Sequence, residues 1–486
     1  MESVLTINEP GTQVLMMGNE AITRGALEAG VQFCSSYPGS PSAEIISFLA
    51  ATAKTFGHYA EWSTNEIVAI EAATAASFAG LRSLCIMKQN GVNVAADFLM
   101  SLGLSGCRGG LVIVFADDPN SHSSTNEFDS RNFARWAELP LLEPGTFQEA
   151  KDMTRWAFEL SELLQTAVVI RSVTRICHGR GNVVLGDFLP KKPAQKLGQW
   201  DKLIALYPFH AFTHQKLAKA QEVFESSPFN SYVGPENPEL LILTSGTGGF
   251  YSQEAVGRLS VTDRVGILKL GTSWPLPAQL VKSHLERCNR VLVVEEVDPF
   301  LEQNVMLLAA KEEMPVKFFG KASGHIKGPS GPGIGELNPD VVMDGLSAVL
   351  GVPRPRRIDV VVDPEKDIVM PPRDLTFCAG CPHRASFFAV KNALEIDGRQ
   401  GLVMGDIGCY TMGGARAGHF VLSSLFCMGG GIGMASGMGK LERFGFDQPV
   451  LAMAGDSTFF HACLPALVNA KYNNSNLLFL ILDNEA

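Results

Sequence analysis

Pro449-Val450-Leu451-Ala452-Met453-Ala454-Gly455-Asp456-Ser457 and Leu477-Leu478-Phe479-Leu480-Ile481-Leu482-Asp483-Asn484 decide the fold of this chain. Each is a short, unbroken apolar run that ends on small or polar residues, the pattern of a parallel strand buried on both faces. Between them, His461 to Tyr472 reads as a helix. Two parallel strands joined by a right-handed crossover set their carboxyl ends side by side. Asp456 and Asn484, 28 positions apart, would then converge on one point. One carboxylate oxygen and one amide oxygen suit an octahedral Mg²⁺ that keeps its other positions open for the oxygens of a diphosphate. Gly-Asp turns after strands are common, so the reading needs support from the rest of the chain.

The chain has 486 residues, enough for about three domains, each able to bury a core. With 46% hydrophobic and 19% charged residues it is globular in composition. A net charge of −10 argues against a general nucleic-acid binder. The sequence has no apolar stretch of membrane-spanning length and no basic, apolar leader after Met1, so no membrane association or export is expected. Its ten cysteines are scattered, as expected for reduced thiols in a cytoplasmic protein.

Strand-like runs alternate with helix-like stretches in three places, predicting an α/β fold with three α/β domains. The first, 1–190, has strands at Val14–Gly18, Leu84–Met87, Leu111–Phe115 and Ala167–Arg171, and a helix from Asn19 to Ala29. A polar linker with some structure of its own, 191–235, precedes a second α/β domain at 236–350, with strands at Leu240–Thr244, Val265–Lys269 and Arg290–Glu295. A proline-rich linker, 351–376, leads into a third domain, 377–486, which carries the Gly-Asp turn. Asn484 stands two residues before the end of the sequence, which suggests a fragment, or a fold that another segment completes.

Further segments bear on the diphosphate reading. Tyr37-Pro38-Gly39-Ser40-Pro41-Ser42-Ala43-Glu44 is a constrained turn whose hydroxyls and helix-start amides could receive a carboxylate; a plain turn with an N-cap serine is the alternative. Glu66 opens the Ala-rich helix Ile67–Ala79, where it either favours the helix dipole or serves a site. Met87-Lys88-Gln89-Asn90-Gly91-Val92-Asn93 follows a buried strand, as site loops and ordinary connections both do. Arg131, after Asn126-Glu127-Phe128-Asp129-Ser130, is a candidate bidentate clamp for a substrate carboxylate; a surface pair with Asp129 is the alternative. Cys378-Ala379-Gly380-Cys381 is the only C-x-x-C, too little for a zinc or iron–sulfur site without partners. Gly405-Asp406-Ile407-Gly408-Cys409-Tyr410 resembles a second strand-to-phosphate edge, and Cys427-Met428-Gly429-Gly430-Gly431 gives backbone that can approach a ligand closely.

The Gly455-Asp456…Asn484 spacing resembles the thiamine diphosphate motif, in which a Gly-Asp turn precedes an Asn by about thirty residues. More specifically, YPGSPSAEI, EWSTNEIVAIEAA, MKQNGVNVAAD, HSSTNEFDSR, CAGCPHRASF, GDIGCYTMG, CMGGGIGMASGM and GDSTFFH…LDN occur in the order seen in indolepyruvate ferredoxin oxidoreductase α subunits. The resemblance covers nearly the whole chain. It implies a pyrimidine-binding domain at 1–190, a transketolase-C-terminal-like domain at 236–350 and a diphosphate-binding domain at 377–486. It implies that Asp456, Asn484 and the Ala486 carbonyl hold Mg²⁺, and that Gly39, Asn93, Gly408, Cys409, Met428, Gly429, Gly455, Asp456 and Ser457 contact the cofactor. Glu66 would hydrogen-bond N1′ of the aminopyrimidine, while Ser40 and Arg131 would face the substrate carboxylate.

The implied activity is oxidative decarboxylation of an aryl 2-oxoacid of the indolepyruvate type to an acyl-coenzyme A, with electrons passing through [4Fe–4S] clusters to ferredoxin. A smaller β subunit in an α2β2-type complex is the implied partner. The family's C-terminal Cys-rich motifs are missing from this sequence, so it carries no cluster ligands. Two rivals stand beside this reading: a non-oxidative thiamine-diphosphate decarboxylase, and a non-catalytic scaffold binding zinc through Cys378, Cys381 and His383.

Overall fold

The computed structural model describes residues 4–199, 201–328, 331–332, 334–355 and 375–484. The chain divides into two compact units, Met1–Arg357 and Ile358–Ala486. The expected 351–376 linker falls largely on residues outside the described ones.

The first unit is built on a seven-stranded sheet in the order Thr272–Trp274, Leu141–Leu142, Val168–Val173, Leu111–Asp117, Ser83–Lys88, Phe33–Ser36 and Tyr59–Trp62. All neighbours are parallel except the Thr272–Trp274 edge. The central strand Leu111–Asp117 is buried throughout. Its alternate residues serve opposite faces, as strand geometry requires: Val112 and Val114 join one apolar core with Ile22, Leu49 and Phe158, while Ile113 and Phe115 join another with Ile70, Leu99 and Ala134. Helices therefore cover both faces, which is why these strands read as continuous apolar runs.

A five-stranded sheet follows, in the order Lys317–Phe319, Arg290–Val294, Leu240–Ser245, Val265–Leu270 and Ser231–Val233, with only the last antiparallel. This second α/β segment does not form a separate body. Past Gly271 the chain runs directly from its own sheet into Thr272–Trp274, the edge strand of the first sheet, and Glu143 donates its amide to the Gly271 carbonyl at 2.8 Å. The expected linker 191–235 is likewise structured: the helix His210–Glu225 buries Thr213, Ala220 and Phe224, and Ser231–Val233 joins the five-stranded sheet. The expected first strand forms at Gln13–Met17, but it pairs antiparallel with Arg180–Val184 in a separate ribbon. The exposed Leu15 and Val184 explain why it lies outside the main sheet.

The second unit holds a three-stranded parallel sheet, Leu402–Met404, Val450–Gly455 and Leu478–Leu482, with Val450–Gly455 in the middle. Val403, Leu451 and Met453 face a core with Phe387 and Tyr410; Met404, Ala452 and Ala454 face Ile432 and Ala435 of the helix Gly430–Met438. Among the described residues no helix is long and apolar enough to cross a membrane.

Candidate active site

In the second unit Gly455 pairs with Leu482, so Asp456 and Asn484 leave adjacent strands at their carboxyl ends. Asp456 begins a helical turn, Asp456–Thr458, and its Oδ1 is buried with no hydrogen-bond partner among the described residues. A buried, unpartnered carboxylate oxygen costs about 1–3 kcal/mol unless something outside the chain satisfies it. A cation does so naturally. Asn484 is exposed at the neighbouring end, and Ala486 lies outside the described residues.

The surrounding backbone is tightly fitted. A Cβ on Gly455 would lie 1.6 Å from the Tyr410 hydroxyl, so no larger residue fits while the ring holds its place. Gly408, at φ +138°, opens the loop that carries Tyr410, and a Cβ there would meet the same ring at 2.7 Å. The His383 imidazole stacks on Tyr410, with centroids 5.1 Å apart. Its Nε2 is buried without a partner among the described residues. Burial holds the His383 pKa below its ordinary value, against the opposing pull of the Asp456 charge.

Asp406 is a residue that the sequence reading did not assign to the site. It is fully buried, and its Oδ1 accepts the amides of Ile407 at 2.8 Å and Gly429 at 2.9 Å. Burial pushes its carboxyl upward and these amides oppose the rise. Gly429, at φ +76°, is the N-cap of the helix Gly430–Met438; Asp406 thereby ties the Gly405–Tyr410 loop to the Cys427–Gly429 turn. The signal was available, because Gly405-Asp406 repeats after Leu402–Met404 the pattern of Gly455-Asp456. Cys409, Gly408 and Ser457 are exposed at this edge, and Met428 is half-buried.

In the first unit the carboxyl ends of four adjacent parallel strands, Ser36, Trp62, Lys88 and Asp117, open into loops along one sheet edge. Glu66 starts the helix Glu66–Phe78, capped by Asn65, whose side chain accepts the Val68 amide at 2.9 Å. The Glu66 side chain is buried and lies on Gly91, where a Cβ would come within 2.6 Å of Oε1. Only glycine at 91 leaves room for that carboxyl. On the other side of Lys88, Gly39 sits against the lysine stem, its virtual Cβ 2.9 Å from Lys88 Cβ. The half-buried Ser40 follows it. Lys88 Nζ donates to the Ser123 carbonyl at 2.9 Å, and burial lowers its pKa against the pull of Asp118. Asn93 is exposed and, with Gln89, Phe128, Phe133 and Trp136, lines a cavity of about 480 Å³.

Arg131 is not available as a clamp. It is completely buried: Nε donates to Asp129 at 2.8 Å, Nη1 to Glu295 at 2.9 Å, and Nη2 to Asp129 and the Glu296 carbonyl at 2.5 and 2.6 Å. The pairing with Asp129 is real but interior rather than on the surface. Burial alone would lower the Arg131 pKa, and the charges of Asp129 and Glu295 more than reverse that. Burial raises the Asp129 carboxyl too, but the Arg131 guanidinium wins and holds it low. For Glu295 burial wins, and its pKa rises to about 7. Nearby Arg171 bonds Asp117 and Glu143 at 2.6 and 2.9 Å. Nor do Cys378, Cys381 and His383 bring three ligand atoms together, although Cys381 Sγ lies 3.5 Å from His383 Nδ1.

Comparisons with known proteins agree with this partition. Residues 24–196 match the family described as pyruvate flavodoxin/ferredoxin oxidoreductase, thiamine diphosphate-binding. Residues 406–486 match the thiamine pyrophosphate enzyme, C-terminal TPP-binding domain. Indolepyruvate oxidoreductase subunit IorA of Pyrococcus abyssi is 39% identical over 500 aligned positions, covering 98% of this chain and 75% of the relative. The IorA subunit of Methanothermobacter thermautotrophicus is 38% identical, covering 100% and 77%. Among solved structures, 2-oxoglutarate:ferredoxin oxidoreductase from Magnetococcus marinus superposes with a TM-score of 0.56 at 17% identity, over 69% of this chain and 65% of that one, a likeness of fold.

Proposed function

The chain belongs to the family of indolepyruvate oxidoreductase IorA subunits, and from that premise we propose how its residues serve the thiamine-diphosphate-dependent oxidative decarboxylation of 2-oxoacids. Bound thiamine diphosphate supplies the nucleophilic carbon and the electron sink that loss of CO₂ from a 2-oxoacid requires. In the second unit Asp456 and Asn484 hold Mg²⁺, with the Ala486 carbonyl as third protein ligand. The buried, unsatisfied Asp456 Oδ1 is the observation that carries this assignment. Gly408, Cys409, Met428, Gly429 and Ser457 border the diphosphate, on turns that Asp406 and Tyr410 brace from beneath. Gly455 serves by having no side chain.

In the first unit Glu66 shares a proton with N1′ of the aminopyrimidine, held in place by its helix start and by the floor that Gly91 provides. Gly39 and Asn93 complete the cofactor contacts. The substrate carboxylate goes to Ser40 and to Lys88, whose ammonium has three donors and spends one on Ser123. Lys88 thus takes the part that the buried Arg131 cannot fill. The substrate is an aryl 2-oxoacid of the indolepyruvate class, coenzyme A accepts the acyl group, and electrons leave through [4Fe–4S] clusters to ferredoxin. With only one C-x-x-C among these 486 residues, the clusters are assigned to protein outside them. The name of the relatives, a subunit, supports a partner chain, which we take to be a smaller β subunit in an α2β2-type complex. Ten unpaired cysteines fit a cytoplasmic setting.

Titration of the protein with thiamine diphosphate, with and without Mg²⁺, tests the assignment. Asp456→Asn is expected to lose the Mg²⁺-dependent part of the affinity while its circular dichroism stays native. Unaltered Mg²⁺-dependent binding in that variant would refute the metal assignment. Aldehyde as the sole product, formed without coenzyme A or an electron acceptor, would refute the oxidative reading.

A further inference from the structure

Glu138, His210 and His214 form a cluster that the reaction does not use. Among the described residues they are the one group whose three ligand atoms all lie within 4.8 Å of one another. His210 and His214 are one turn apart on the helix His210–Glu225 and share a face. Both turn Nε2 to the one carboxylate: His210 lies 3.0 Å from Glu138 Oε2 and 3.2 Å from Oε1, and His214 lies 2.8 Å from Oε1. The rings stand 4.6 Å apart. Thr213, between them on the same face, is buried and donates to the Gly103 carbonyl at 3.1 Å, so this helix face is fixed against the body of the unit. Glu138 comes from the turn before Leu139–Leu142 and sits at φ +57°, a left-handed conformation rare for glutamate. That turn aims the carboxylate between the two imidazoles.

We infer that Glu138, His210 and His214 form a binding site for a divalent transition ion of the zinc class. Two imidazole nitrogens and one carboxylate oxygen suit zinc and exclude the all-oxygen preference of Mg²⁺ and Ca²⁺. Ligands about 2.0–2.1 Å from a tetrahedral ion stand roughly 3.3 Å from one another, so admitting the ion asks each imidazole to draw back from the carboxylate by a few tenths of an ångström. All three side chains are partly exposed, with 24%, 45% and 62% accessibility, which permits that adjustment and leaves the fourth position to water. The bound ion clamps the helix His210–Glu225 to the turn at Glu138 and stabilises the first unit by linkage.

The test is zinc titration of the protein in excess Mg²⁺ and thiamine diphosphate, with metal counted after dialysis, beside His210→Asn/His214→Asn. The wild type is expected to retain one more zinc equivalent than the double variant and to gain thermal stability with zinc that the variant does not. Equal zinc content and equal thermal shift overturn the site and leave only carboxylate–imidazole hydrogen bonds. Should the variant not fold, Co²⁺ replaces zinc in the intact protein. A visible d–d spectrum saturating at one equivalent without a thiolate charge-transfer band supports the site; a spectrum carrying only the thiolate band overturns it.

Discussion

Arg131 in the first unit is wholly buried, and Asp456 in the second is half-buried with one carboxylate oxygen turned inside, yet their surroundings differ more than their burial. Each of the three Arg131 guanidinium nitrogens donates within the protein, to Asp129, Glu295 and two carbonyls. Asp456 keeps a buried oxygen that nothing among the described residues answers. A charge that the chain itself buries and pairs is architecture, because it is neutralised by its own carboxylates and out of a ligand's reach. A charge left wanting, at the carboxyl end of a parallel sheet, is where ligand chemistry is done. The contrast explains why two residues that look equally functional in the sequence play different parts.

If that distinction holds, changes at the two kinds of site must fail differently. The largest effect is expected for Glu66→Gln: cofactor binding persists while exchange of the thiazolium C2 proton, followed by NMR, slows about 10²–10⁴-fold. Undiminished exchange would remove Glu66 from its role. Arg131→Met is expected to lower the unfolding free energy by about 3–5 kcal/mol in denaturant titration, because Asp129 and Glu295 are left buried without their cation. A loss of substrate affinity in a fully stable Arg131→Met protein would instead restore the clamp. Lys88→Met is predicted to raise KM for the 2-oxoacid about 10–100-fold, the value of one charged hydrogen bond, with little change in stability. Gly455→Ala must push Tyr410 aside and is expected to cost about 1–3 kcal/mol.

The mildest test concerns pH. Glu295 titrates near 7 in the folded protein and at 4.5 ordinarily, so between those values the folded state holds the extra proton. Its contribution is therefore fully favourable below about 4.5 and is lost as pH rises through 7. Asp129 acts oppositely: its lowered pKa gives stability above 3.8 that disappears as pH falls through the folded value. Unfolding curves are expected to show the first unit most stable on the mildly acidic side. Glu295→Gln should flatten the decline from pH 5 to 7, and an unchanged slope would assign that decline to another group.

Much of the fold was legible because its signals are local. The runs Leu111–Phe115, Leu240–Thr244 and Pro449–Ala454 are apolar without interruption, and each became a buried strand within about two residues of the expected bounds. Glu66 at a helix start and Gly455-Asp456 after a strand were visible in the same way. The edge strand Thr272–Trp274 was not, since three residues carry no period of their own and pair only because Leu141–Leu142 lies beside them. Asp406 was readable as a motif, but its hold on Gly429 spans 23 positions and exists only in the folded unit.

The sequence by itself determined the alternating α/β pattern, the two parallel strands that bring Asp456 and Asn484 to one sheet edge, and the ordered motifs of the family, because strand and turn propensities act over a few residues; that Val450–Gly455 is buried while Leu478 and Ile481 of its neighbour are exposed was not among them. Tertiary structure alone decided which charges are spent and which are spare. Arg131 meets Glu295 across 164 positions, and His210 and His214 meet Glu138 across 72 and 76. Whether a polar group is satisfied depends on every atom within about 3 Å of it, and those atoms come from segments that the linear order keeps apart.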